Sequence, residues 1–133
     1  MANPSKQKGT RAETKVVRFL NDHGIEAARK ALSGSLDKGD IEMTMPDGTK
    51  RILEVKAGKQ TSNPNRAQLE EWLHQARVEE FNSGVLCALC IVRYNRKLKD
   101  ADVYVQHMLD YKDGMLVREH MYLDEFCNWI TEV

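Results

Sequence analysis

The chain has 133 residues, enough for one modest hydrophobic core and too few for two, so residues 1–133 read as a single domain. Twenty Lys and Arg balance twenty Asp and Glu, so net charge gives no sign of a polyanionic partner. No apolar stretch approaches the ~20 residues of a membrane span, the N-terminus is polar and unlike a signal peptide, and three cysteines fit a reducing, cytoplasmic compartment.

Residues 1–9 are polar and expected to be flexible. Thr10-Arg11-Ala12-Glu13 has the form of a capping box and predicts a helix start there. Ala12, Val16, Phe19 and Leu20 follow at helical spacing, and Gly24 is placed to end the helix. An extended segment over 25–32 leads to the small-residue loop Ser33-Gly34-Ser35. Two alternating segments come next, Asp40–Met45 and Ile52–Lys56, separated by the turn sequence Pro46-Asp47-Gly48.

A helix is expected over 65–82, with the apolar stripe Leu69, Trp72, Leu73 and Ala76, ended by Gly84. A strand is expected over 85–94, and its apolar run Val85–Val92 reads as buried. Its Cys87 and Cys90 therefore point to opposite faces as core thiols, which speaks against a zinc site. Strands over 103–109 and 115–122 and a closing helix over 123–131 complete the chain, with Phe126, Trp129 and Ile130 facing inward. The order αβββαβ, then a hairpin and a helix, describes a mixed α/β domain without repeats or linkers. His23, His74, His107 and His120 form no ligand spacing and receive no role.

The hairpin register follows from its turn. A three-residue loop suits a type I turn followed by a left-handed glycine, which Pro46-Asp47-Gly48 provides. Met45 then pairs with Thr49, and counting outward sets Asp40 opposite Glu54. A two-residue loop would put them on opposite faces. One face carries Ile41, Met43, Met45, Leu53 and Val55; the other carries Asp40, Glu42, Thr44, Ile52, Glu54 and Lys56. Opposed acids destabilise a strand pair unless something compensates them, and a hard divalent cation such as Mg²⁺ is the obvious candidate. Lys56, two residues from Glu54, shares that face and can reach a phosphate or an attacking water.

Gly39-Asp40-Ile41 followed by Ile52-Leu53-Glu54-Val55-Lys56 resembles the PD-(D/E)XK nuclease superfamily, with Gly39 in the place of Pro. Within it the chain is most similar to small Holliday junction resolvases of archaeal and phage type. The likeness rests on Lys8-Gly9-Thr10-Arg11-Ala12-Glu13, on Ser33-Gly34-Ser35 and on a Gln-bearing helix after the E-x-K strand, and covers roughly residues 8–93.

The resemblance implies a restriction-endonuclease-like αβββαβ core with a mixed central sheet flanked by helices. It implies Mg²⁺, with Mn²⁺ as a substitute, held by Asp40, Glu54 and the Val55 carbonyl. Lys56 would orient or deprotonate the attacking water, and Glu13 would complete the acidic cluster, although Glu13 also has the capping role. Lys8, Arg11, Ser33, Ser35, Gln68, Gln75 and the basic run from Arg93 to Lys99 would contact DNA. The expected activity is metal-dependent hydrolysis of DNA phosphodiesters, as a homodimer on branched DNA, with apolar residues near the C-terminus supplying the interface. A restriction-like or flap nuclease of the same fold, and a non-catalytic DNA-binding or assembly module, are the competing readings.

Overall fold

The computed structural model describes the backbone of residues 4–29, 40–110 and 115–132 and the side chains of residues 11–29, 41–106 and 117–132. The elements run α1 (Pro4–Asp22), β1 (Glu26–Arg29), β2 (Asp40–Thr44), β3 (Lys50–Lys56), α2 (Arg66–Ser83), β4 (Cys87–Ile91), β5 (Asp102–Asp110), β6 (Met115–Tyr122) and α3 (Leu123–Glu132). The strands form one sheet in sequence order. Among the described residues only β3 and β4 run parallel, across the α2 crossover, and the four other strand pairs are antiparallel.

The first helix starts earlier than its sequence signal. Pro4 opens it, a residue suited to the first turn because its missing N–H is not needed there. Residues 4–9 are therefore helical, and Thr10 is an interior position rather than a cap. The Thr10–Glu13 capping box is overturned. The capping-box spacing and the polarity of residues 1–9 argued for the later start, but the helix continues through Gly9. By contrast, α2 starts and stops where expected. The Asn65 side chain accepts from the Gln68 N–H at 2.8 Å, and Gly84 takes the left-handed conformation at φ 74°.

The β2–β3 turn has the anticipated form. Met45 N–H donates to the Thr49 carbonyl at 2.8 Å, Gly48 N–H donates to the Met45 carbonyl at 2.9 Å, and Gly48 has φ 88°. The Asp47 carboxylate accepts from the Thr49 N–H and hydroxyl, which holds its pKa below the usual carboxylate value. The register that results pairs Asp40 with Glu54 and Ile41 with Leu53.

Period-two alternation then divides the core into two layers. On one side of the sheet, Ile41, Met43, Leu53, Val55, Ala88, Cys90, Val103 and Val105 pack against Ala12, Val16 and Leu20 of α1 and against Leu123, Phe126, Cys127 and Ile130 of α3. On the other, Ile52, Cys87, Leu89 and Ile91 pack under Trp72, Leu73 and Ala76 of α2. Cys87 and Cys90 fall into different layers, as two core thiols three residues apart on a strand should. The apolar face of α3, with Leu123, Phe126, Cys127 and Ile130, is buried in this chain's own core. Trp129 is half-buried beside Phe126.

Two stability measurements check these assignments. Gly48→Ala is expected to lose about 1–2 kcal/mol in urea unfolding. A Cβ there meets nothing within 4 Å, so the loss comes from the backbone conformation alone. Thr10→Ala is expected to be neutral or stabilising, whereas removal of a genuine N-cap costs ~1 kcal/mol.

Candidate active site

The sheet face under α2 carries charge as well as core. Glu54 and Lys56 follow Ile52 along β3 on this face, at the end where the strand leaves the sheet. Glu54 is only 6% exposed although it is an acid. Such a group needs compensation, because burial takes a carboxylate out of water at a cost of several kcal/mol. Lys56 supplies part of it, with Nζ 3.3 Å from Glu54 Oε1.

Two further ligand-type side chains converge there. A carboxylate oxygen of Glu79 from α2 and Sγ of Cys87 from β4 lie with a Glu54 carboxylate oxygen inside a span of 4.8 Å. Two ionised carboxylates at that separation repel by about 3–4 kcal/mol at an effective dielectric near 20. A cation between them reverses the sign. The backbone register sets Asp40 directly opposite Glu54 on β2, while its side chain lies outside the described residues. The site opens into a cleft of about 660 Å³ bordered by Lys56 on the sheet side and by His74, Gln75 and Glu79 on α2.

Glu79 carried a signal in the sequence. The α2 stripe Trp72, Leu73, Ala76 would continue at 79 and 80, and both positions are glutamates. They interrupt the stripe where α2 passes over the edge of the apolar layer. Glu80 turns to the backbone, its Oε1 accepting from the Cys87 N–H at 2.9 Å. Glu79 turns to Glu54.

The other candidate residues divide. Gln75 lines the cleft, but Gln68 sits two turns earlier, in the first turn of α2, with its side chain directed to Glu71. Val55 buries its side chain in the opposite layer, so only its carbonyl can serve the site. Glu13 is not brought to Glu54. It accepts from Arg29 Nε at 2.9 Å, and Arg29 pairs in register with Ile41, whose side chain belongs to the α1 layer. Arg11 is exposed on α1. Ser33 and Ser35 lie outside the described residues, as does the side chain of Lys8.

A second polar cluster, which the sequence did not reveal, continues the same face across β5 and β6. Asp102 is 4% exposed and binds Arg93 Nε through Oδ2 and His120 Nε2 through Oδ1, the latter at 2.6 Å. His120 packs between Tyr104 and Tyr122, with ring centroids 5.0 and 5.3 Å away. Burial, then the negative charge of Asp102, raises the Tyr104 hydroxyl pKa. The strand registers place Asp40, Glu54, Leu89, Tyr104 and His120 in one row across the sheet, and Lys56, Ile91, Asp102 and Tyr122 in the next. Tyr104 and Gln106 alternating with Val103 and Val105 were the available hint, since a strand covered by helices on both faces would be apolar throughout.

No protein-family model, no curated protein and no solved structure matches the chain.

The thiols offer a direct check on this geometry. Burial pushes Cys127 up to about 11 and Cys90 higher still. Neither is expected to react with a thiol-exchange reagent at pH 8 in the native protein, because so little thiolate is present. Both should label once urea unfolds the chain, as read by mass spectrometry.

Proposed function

We propose that the protein is a metal-dependent endonuclease that hydrolyses phosphodiester bonds in DNA, with a restriction-endonuclease-like core. The observation that carries the reading is the buried Glu54, ion-paired with Lys56, facing Asp40 by register and Glu79 across the cleft. An acid held under a helix is unlike the solvated strand face that an ordinary E-x-K sequence would make.

The donor set fits a hard divalent ion. Asp40, Glu54 and Glu79 offer carboxylate oxygens, the ligands Mg²⁺ and Mn²⁺ prefer, and the Val55 carbonyl is a further oxygen. Cys87 is a soft ligand and, for these ions, remains a core thiol. When bound, the ion supplies charge to polarise the scissile phosphate and to ease ionisation of water.

The rest of the chemistry falls to the chain itself. Lys56 Nζ orients the attacking water and offsets negative charge growing on the phosphate oxygens. The water oxygen bonds to phosphorus in line with the departing oxygen, the P–O3′ bond breaks, and the 3′ oxygen takes a proton. The products are a 5′-phosphate and a 3′-hydroxyl, as the family resemblance implies. Gln75 lies where it can hydrogen-bond the backbone of a strand in the cleft. The resemblance favours a four-way junction cut by a homodimer. With the α3 face used internally, Val78 and Phe81, exposed on α2, are apolar side chains such a dimer has available.

The test is cleavage of labelled junction, duplex, flap and single-stranded DNA with Mg²⁺ or with EDTA. Glu54→Gln is expected to remove Mg²⁺-dependent cleavage by more than the ~10–100-fold that loss of an outer-shell partner costs, with DNA binding retained. Wild-type activity in Asp40→Asn or Glu54→Gln would sink the assignment.

A further inference from the structure

The α2-facing side of the sheet is covered only in part. The helix lies over β4, and it is tied to the next two strands by Gln106 Nε2, which donates to the Leu73 carbonyl at 2.9 Å, and by Arg118, which meets Glu70 at 2.6 and 2.8 Å. Beyond these ties the face presents rings to solvent. Tyr122 is 40% exposed, as is the His120 side chain, and Tyr104 is half-buried beside them.

These rings are held rather than loose. Buried Asp102 anchors His120, and the same carboxylate draws in Arg93 from the loop that follows β4. That loop runs Arg93-Tyr94-Asn95-Arg96-Lys97-Leu98-Lys99, four cations without an acid. Arg96, Lys97 and Lys99 are exposed, and so is Tyr94, at 46%. The loop is fastened to the candidate active site as well. Val92 N–H donates to the Lys56 carbonyl at 2.8 Å, and Tyr94 N–H donates to the Thr61 hydroxyl at 3.3 Å. The loop therefore follows the sheet edge from the end of β3 to the start of β5, with Arg93 held at Asp102 and Leu98 packed into the α1 and α3 layer.

The geometry points to a stacking platform for unpaired bases on the β5–β6 half of this face, with Tyr122 as its principal ring and the 93–99 loop holding the accompanying phosphates. The occupant is a single-stranded segment of the nucleic acid, and the assignment deepens the nuclease reading on which it rests. Aromatic rings beside a basic groove accept any base through its π-face, so such a platform recognises strandedness and not sequence. His120, fixed by Asp102, and the two tyrosines packed on it lose little freedom on binding. A paired duplex buries its base faces in its own stack and cannot use them.

Position adds a length. Glu54 and His120 stand in the same row, three strand spacings apart, which is roughly 14 Å. At about 3.4 Å per stacked nucleotide, this span sets a minimum of about four nucleotides between the unpaired bases and the phosphate to be cut, because Leu89 in the row is buried under α2 and a strand must pass around the helix. The substrate class is then DNA with a single-stranded stretch close to the scissile bond.

Binding in EDTA tests this without requiring cleavage. Fluorescence anisotropy of the 133-residue chain would use a labelled oligothymidylate of about ten nucleotides, within the usual site size, an abasic strand of equal length, and a blunt duplex. The wild type is expected to bind the oligothymidylate about fivefold or more tightly than the abasic strand. Tyr122→Ala should lose that margin, and Tyr122→Phe should keep it. Equal affinity for the thymidine and abasic strands, tighter binding to the duplex, or unchanged binding in Tyr122→Ala overturns the platform. Mg²⁺-dependent cleavage with unaltered Tyr122→Ala binding would reject the platform and leave the nuclease. Stacking-dependent binding without cleavage would do the reverse.

Discussion

Between Met45 and Thr49 the chain reverses through three residues, and side-chain alternation then sorts the hairpin into two faces. Ile41, Met43, Leu53 and Val55 go to one side; Ile52, Glu54 and Lys56 go to the other. Because β4 pairs in parallel with β3, and β5 and β6 follow as antiparallel neighbours, the same parity passes to every later strand. A turn one residue shorter would have sent Asp40 and Glu54 to opposite sides. The two layers, the acidic cleft and the outlying rings all depend on that reversal.

The two sides of the sheet are unequal, and the inequality creates the site. One is sealed by α1 and α3 over an apolar layer. Among the described residues the other is closed by α2, which covers β4 and leaves β5 and β6 bordered by polar contacts. Where the apolar layer under α2 ends, Glu54, Glu79 and Cys87 meet, and Lys56 marks the way out. Low local dielectric strengthens every interaction among these groups, repulsion between the acids included. A small fold thus places a buried acid, a cation and a cleft beside one another without a second domain.

Glu13 shows how local and tertiary demands compete for one residue. Its spacing from Thr10 suits a capping box, and its place on the apolar side of the helix suits an inward role. With the helix extended back to Pro4, the capping role disappears, and Arg29 on β1 claims the carboxylate. The acid that turns towards Glu54 comes instead from α2, more than sixty residues further along the chain. Nothing in local spacing distinguishes these outcomes; the direction of the helix across the sheet does.

By itself the sequence determined the order of elements, the ends of α2, the hairpin register and the separation of Cys87 from Cys90. Each depends on contacts within a few residues or on a period that packing cannot alter: a side-chain cap, a left-handed glycine, alternation along a strand. Tertiary structure alone decided that Glu54 lies under α2, that Glu79 joins it, that Glu13 does not, and that Asp102 gathers Arg93 and His120. Those groups are distant in sequence, and their meeting follows from which face each helix covers. Local propensity carries no record of that choice, since burial against either side of the sheet satisfies the same apolar stripe.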